Sequence, residues 1–266
     1  MQVYRGLPIL TNQPTRETQL VAVWELDHEA SVAEYAALAH AAVDEALASG
    51  RTPVVVGGTG LYFRAALADL EVPPAPTPGA RERWNRVYDR LGPERTHAVL
   101  AERDPPAAEA LHPNDRRRIV RALELADVGF SLRPSTHRLW TDDARHPTLV
   151  VGLDVPREEL QRRIEERTRS MIRAGAAEEA RAALARPIST TARKVIGLRE
   201  AAGLPPERAM EEIALRTRQY ATYQRKWMRR IPGLVSVDAD RPPNDVARDI
   251  LELASRRQPI SARRAE

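Results

Sequence analysis

A glycine-rich run, Gly57-Gly58-Thr59-Gly60, follows the β-branched residues Val54, Val55 and Val56 and precedes Leu61–Leu70. Between a strand and a helix, such glycines let backbone N–H groups approach an anion, and the helix N-terminus adds positive potential. Thr59 offers a hydroxyl at the same mouth. The same glycines also suit any tight strand–helix turn, so both uses stand. A second run, His112–Glu124, places Asp115 as a helix cap, Ile119, Ala122 and Leu123 on a buried side, and Arg117, Arg118 and Arg121 on the rest. An arginine face is either simply solvated or suited to the phosphates of a nucleic-acid strand, where guanidinium groups make planar, multi-donor contacts. A third run, Arg216–Arg230, interleaves arginines with Tyr220, Tyr223 and Trp227. It suits either stacking on unpaired bases beside a neutralised backbone or an amphipathic helix with its aromatics in the core.

Other chemistries are excluded or unsupported. The chain has no cysteine, so disulfides, thiolate metal sites and cysteine nucleophiles are out. Its six histidines lack metal-ligand spacing, and no serine sits in a nucleophile elbow. Among 41 basic residues only Lys194 and Lys226 are lysine, against 37 acidic residues and a formal charge of +4. The total reflects arginine-rich usage; what matters is clustering, at Arg116–Arg121, Arg225–Arg230 and the tail after Arg256, which points to a phosphate-rich partner.

The elements that must position these residues follow from pattern. The 266 residues, 42% of them hydrophobic, suffice for one large domain or two modest ones. No apolar stretch reaches a membrane span and no secretory leader follows Met1, so a cytoplasmic protein without membrane contact is expected. The spacing predicts a helix over 31–48 capped by Ser31, a short buried strand at Val54–Val56, and a helix over 61–70. Val72–Pro78, with four prolines, reads as a linker. Residues 79–128 read as charged helices broken at Gly92-Pro93 and Pro105-Pro106, with the last running from Asn114 to Asp127. A second buried strand is expected at Thr148–Asp154, then helices over 156–186, 206–230 and 245–255. On the first of these, Glu158/Arg162 and Glu165/Arg169 are expected as surface pairs. The reading is an α/β core at 1–74 and 138–255, a helical insertion at 75–137 and a mobile basic tail at 256–266.

Five segments, taken in order, resemble the bacterial tRNA dimethylallyltransferase (tRNA isopentenyltransferase) family. They are Met1–Gly6 with Pro14-Thr15, Val54–Phe63, His112–Glu124, Ile196–Glu200, and Thr217–Gln224 with Trp227 beyond. The resemblance implies a P-loop-NTPase-like parallel sheet carrying a helical insertion that grips the anticodon stem-loop. It also implies transfer of a dimethylallyl group from dimethylallyl diphosphate to the N6 amine of the adenosine 3′ of the anticodon, in tRNAs reading codons that begin with U. That adenosine would be extruded into a channel, as base-modifying enzymes generally require. By the same likeness, Gln2, Thr59, Arg81, Arg117, Arg118, Ile119, Val120 and Arg121 contact tRNA. Gly57, Gly58, Thr59, Gly60 and Arg218 line the diphosphate pocket, Arg199 neutralises the leaving diphosphate, and Mg²⁺ assists. A monomer is expected.

The chain departs from the family pattern in one serious respect. The first strand, the G-x-x-x-x-G-K-[ST] phosphate loop and the aspartate of the Asp-Ser-x-Gln segment are missing, and Met1-Gln2 falls inside that last motif. Two smaller departures are Thr18-Gln19-Leu20, where the family has His-His-Leu, and Leu198, where it has Tyr. A start codon assigned too late is the first explanation. A remnant that binds tRNA without modifying it is the second, and a nucleotide-kinase-like protein, which would need the same loop, the third.

Overall fold

The structure is a computed structural model that describes residues 2–70, 72–74, 76–132, 141 and 143–257. The chain divides into two compact units, one drawn from 1–30, 34–68 and 140–266, the other from 31–33 and 69–139.

The first unit is a helix-rich α/β body. Its elements in chain order are α1 (Pro8–Thr11), α2 (Val32–Ala48), α3 (Gly60–Leu67), β1 (Val151–Asp154), α7 (Arg157–Arg173), α8 (Ala176–Leu184), α9 (Leu198–Gly203), α10 (Pro206–Met228), β2 (Val235–Asp238) and α11 (Pro243–Arg257). β1 and β2 pair in parallel, Val151 opposite Val235 and Asp154 opposite Asp238, and the connection between them runs through α7–α10, as a parallel pairing requires. At the amino end, Trp24 N–H donates to Val3 O at 2.9 Å and Arg5 N–H to Trp24 O at 2.8 Å, which lays residues 3–5 alongside 22–24. Tyr4, Leu7, Leu10, Trp24 and Leu26 then pack with Leu198, Ala201 and Ile213 from the second half of the chain. Gly197 makes that junction possible. Its φ of +94° suits glycine, and a Cβ there would lie 2.9 Å from the Leu10 side chain. Immediately after it, α9 starts.

Most expected helices form, and the differences have physical causes. Val54–Val56 are not a buried strand: Val54 is 82% and Val56 86% exposed, and among the described residues no backbone hydrogen bond involves residues 52–58. Branched side chains favour extension, but a strand exists only with a neighbour to bond to. β2, in contrast, went unread in the sequence. The helix after the glycines ends at Leu67, because Ala68 turns extended and the Leu67 carbonyl accepts from Arg145 N–H at 2.8 Å. On α2, Ala39 is the buried residue and Leu38 faces outward at 37% exposure. The segment 156–186 is two helices, α7 and α8, parted at Gly175 (φ +96°). On α7, Arg162 bonds Glu159 and Glu166 rather than Glu158, and Glu165 pairs with Arg218 rather than Arg169. The i,i+3 and i,i+4 geometry allows either choice, and Arg218 on a packed helix competes for Glu165. The basic tail expected at 256–266 lies, beyond Arg257, outside the described residues.

The second unit consists of α4 (Ala80–Arg103), α5 (Pro105–Ala110) and α6 (Arg116–Ala126). The expected break falls inside α4, where Gly92 has φ 79° and ψ 174° just before Pro93. Asp104 and Asp115 cap α5 and α6, accepting from Ala107 N–H and Arg118 N–H. α4 and α6 bury Trp84, Tyr88, Leu100, Ile119, Ala122 and Leu123 between them. Trp84 Nε1 donates to Asp127 Oδ2 at 2.6 Å, and Arg83 and Arg103 pair with the same carboxylate. Burial pushes the Asp127 carboxyl up, but these bonds and charges outweigh it and hold it below the usual carboxylate range.

Candidate functional site

Within the α/β unit, α10 is the element on which the candidate residues converge. It packs against α3, α7 and α9, and its side chains serve different partners along its length. Arg216 pairs with Glu200 of α9, whose Oε2 is buried with no hydrogen-bond partner. Arg218 reaches Glu165 of α7 at 3.5 Å. Arg225 bonds the Val155 carbonyl and approaches Asp154 at 3.4 Å, at the carboxyl end of β1.

The glycine turn sits against the same helix. Thr59 Oγ1 and Tyr220 OH are 2.6 Å apart. A Cβ added at Gly58 would lie 2.0 Å from Gln224 Nε2, and one at Gly60 would lie 1.9 Å from the Trp227 ring. Of the two uses the sequence left open for the glycines, close approach to a helix is therefore realised at Gly58 and Gly60. Gly57, next to them, is exposed. The aromatics of α10 divide in the same way: Tyr220 and Trp227 face the turn, while Tyr223 is 51% exposed.

The remaining candidates are placed as follows. Arg199, the second residue of α9, is exposed and has no hydrogen bond or ion pair among the described residues. Gln2 Nε2 donates to the carbonyls of Thr11 (3.2 Å) and Asn12 (2.6 Å), tying the amino end to the close of α1. Two open surface clefts, about 460 and 540 Å³, lie beside the strand pair, the first between β2 and α11 and the second lined by Asp154, Arg225 and Asp238. Neither is lined by the glycine turn or by Arg199.

In the helical unit, the arginine face is real but unevenly committed. Among the described residues Arg117 is exposed with no hydrogen bond or ion pair, and Arg118 has only Asp115 as an ion-pair partner, at 3.5 Å. Arg116 bonds Asp89 in bidentate fashion and lies over the Tyr88 ring. Arg81 and Arg121 converge on Glu124, whose side chain is 0% exposed: Arg81 Nε donates at 2.7 Å, Arg81 Nη2 at 3.1 Å and Arg121 Nη1 at 3.2 Å. Arg121 also donates to the Pro74 carbonyl at 2.7 Å. Ile119 and Val120 are buried at 0% and 3% exposure, so their side chains pack inward and set the direction of the arginines instead of touching a ligand. The buried Glu124 was not singled out in the sequence, because a glutamate on a charged helix ordinarily faces water.

Glu124→Gln is expected to destabilise the unit by about 1–2 kcal/mol. The change weakens two charge-assisted contacts, and half-exposed Arg81 can recover part of its solvation. A thermal melt of the variant checks this; an unchanged Tm would show that the carboxylate contributes nothing.

Mg²⁺ is implied by the family resemblance, and magnesium is held by one or two carboxylates together with substrate phosphates. Among the described residues no cluster of three or more His, Asp or Glu side chains converges to hold a metal.

The chain carries an α/β unit organised on one long helix and a compact helical unit with an arginine face. The IPP transferase family model matches residues 2–231. A Thermobifida fusca protein named tRNA dimethylallyltransferase is 39% identical over 255 residues, 91% of this chain and 79% of its own length. A Streptomyces coelicolor protein of the same name is 39% identical over 245 residues, 87% of this chain and 78% of that protein. Among solved structures, the full-length tRNA isopentenylpyrophosphate transferase of Bacillus halodurans superposes with a TM-score of 0.65 at 27% identity, covering 96% of this chain and 84% of that one. A eukaryotic dimethylallyltransferase acting on tRNA gives a TM-score of 0.72 at 23% identity, covering all of this chain and 74% of that one, and so shares the fold. The chain belongs to the IPP transferase family of prenyltransferases. No helix among the described residues is long and apolar enough to cross a membrane.

Proposed function

We propose that this chain acts on tRNA in the cytoplasm, as a monomer, directing a dimethylallyl group from dimethylallyl diphosphate to N6 of the adenosine 3′ of the anticodon in tRNAs reading U-starting codons. The observation that carries the reading is the exposed Arg117, without an ion pair among the described residues, beside Arg118 on α6, in a chain whose family match runs from residue 2 to 231. In this reading Arg117 and Arg118 meet the phosphates of the anticodon stem-loop, Arg81 and Arg121 add field while anchored on Glu124, and Gln2 and Thr59 contact the RNA near the reacting base. The bond between the allylic carbon and the diphosphate oxygen breaks, a bond from that carbon to N6 forms, and N6 gives up a proton. The diphosphate leaves as a polyanion, and Arg199, with no competing carboxylate of its own, is the group best placed by its chemistry to neutralise it. Arg218 and the turn Gly57–Gly60 complete that pocket.

One observation favours a second reading. The 266 residues contain no G-x-x-x-x-G-K-[ST] loop and no Asp-Ser-x-Gln segment, so the groups that the family likeness assigns to the leaving diphosphate and to the N6 proton are not supplied by this sequence. Transfer by this polypeptide would then be slow, and binding to tRNA without transfer is the alternative. Incubating an excess of the chain with dimethylallyl diphosphate and an anticodon stem-loop, followed by nucleoside mass spectrometry, separates the two. Slow accumulation of N6-prenylated adenosine at that single position supports transfer. Its complete absence with binding intact supports the second reading, and prenylation at another base contradicts both.

A further inference from the structure

We infer that Tyr220 is a positioning residue for Thr59, an inference that rests on the reading of Thr59 as an RNA contact. Thr59 occupies the residue before α3 with extended backbone (φ −100°, ψ 106°), the position at which a threonine hydroxyl ordinarily accepts from the first helical N–H groups. Here its side chain makes no capping bond. The hydroxyl is turned to Tyr220 OH at 2.6 Å instead.

That choice is built in by α10. Tyr220, Gln224 and Trp227 follow the i, i+4, i+7 spacing of one helical face, and each holds one of three successive turn residues. Gln224 Nε2 occupies the space a Gly58 side chain would need, Tyr220 bonds Thr59, and the Trp227 ring occupies the space a Gly60 side chain would need. The turn is fixed on either side of Thr59, so the threonine hydroxyl is the one polar side-chain group of the turn, and its direction is set by the phenol. A phenol O–H is the stronger donor of the two. With Tyr220 donating to Thr59 Oγ1, the threonine keeps its own O–H to donate outward, where Thr59 is exposed. Tyr220 thus acts through Thr59 and needs no contact with RNA itself.

A double-mutant cycle tests this, with anisotropy of a labelled anticodon stem-loop as the readout and melting of each variant alongside. Tyr220→Phe removes one oxygen and keeps the ring against the turn; Thr59→Val removes the hydroxyl; Thr59→Ser keeps it. Tyr220→Phe and Thr59→Val should each weaken binding by about 3–10-fold, the range expected for one hydrogen bond. The double variant should bind no worse than Thr59→Val alone, and Thr59→Ser should stay within about 2-fold of the parent. Wild-type binding by Tyr220→Phe, or losses that multiply in the double variant, would overturn the inference. If Thr59→Val binds normally while Arg117→Ala does not, the inference falls and the RNA reading stands. If Arg117→Ala also binds normally, the RNA reading falls with it.

Discussion

Prenyl transfer by the 266-residue chain is expected to be at least about 10²–10⁴-fold slower than transfer by a family member that carries the phosphate loop and the aspartate, measured side by side on one anticodon stem-loop. By the family likeness, each of those elements acts on the transition state: the loop would meet charge that develops on the departing diphosphate, and the aspartate would meet the proton leaving N6. Losing one such group typically removes two to four orders of magnitude. In the proposed reading Arg199 and Arg218 offset charge on the diphosphate, yet neither can accept a proton, because a guanidinium stays protonated throughout the working range. The remaining rate should therefore be limited by proton loss and should rise when an external base such as imidazole is supplied. Single-turnover rates with and without added base test this directly. A rate matching the comparison enzyme would show that this chain supplies both functions from other residues.

Gly60→Ala is the substitution expected to cost most stability for one added carbon. The new Cβ would lie 1.9 Å from Trp227 Cε3 and 2.1 Å from Cδ2, and a rigid indole ring must move as a whole to relieve the clash. Overpacking of that severity costs about 3 kcal/mol or more, which lowers Tm by roughly 6–12 °C. Gly58→Ala is the informative contrast. Its clash at 2.0 Å is with the amide end of Gln224, a flexible chain that can rotate aside, so its cost should be less than half as large. Trp227→Leu should relieve most of the Gly60→Ala penalty, giving a double variant more stable than the sum of the single losses predicts. Equal costs at Gly58 and Gly60 would contradict the packing of the turn on α10.

The features that the sequence made visible are those governed by local rules. Asp115 before Arg116–Ala126 is a side chain able to accept from the first turn, and it caps α6. Gly92-Pro93 interrupts a charged helix where proline cannot donate and glycine can take a positive φ, and the break occurs there. The five family segments carried the class of the protein because they are spread over most of the chain. What depended on distant partners was not visible. Val54–Val56 have the composition of a strand, but their backbone bonds to nothing among the described residues, so composition misled. Val235–Asp238 became a strand only because β1 lies alongside it. Glu124 looked like any surface acid until Arg81 and Arg121 closed on it. The glycine turn posed the hardest case: its residues fitted an anion cradle and a tight packing joint equally well, and the positions of Gln224 and Trp227 make the joint visible at Gly58 and Gly60.

Titration of a labelled anticodon stem-loop with the chain over a series of salt concentrations, set against an unbroken duplex of equal length, is the most direct measurement. The stem-loop should bind more tightly than the duplex, log K should fall linearly with log salt, and Arg117→Ala should make that slope shallower by about one phosphate contact. Equal affinity for both RNAs, with a slope untouched by Arg117→Ala, would contradict the assignment of the α6 arginine face to tRNA.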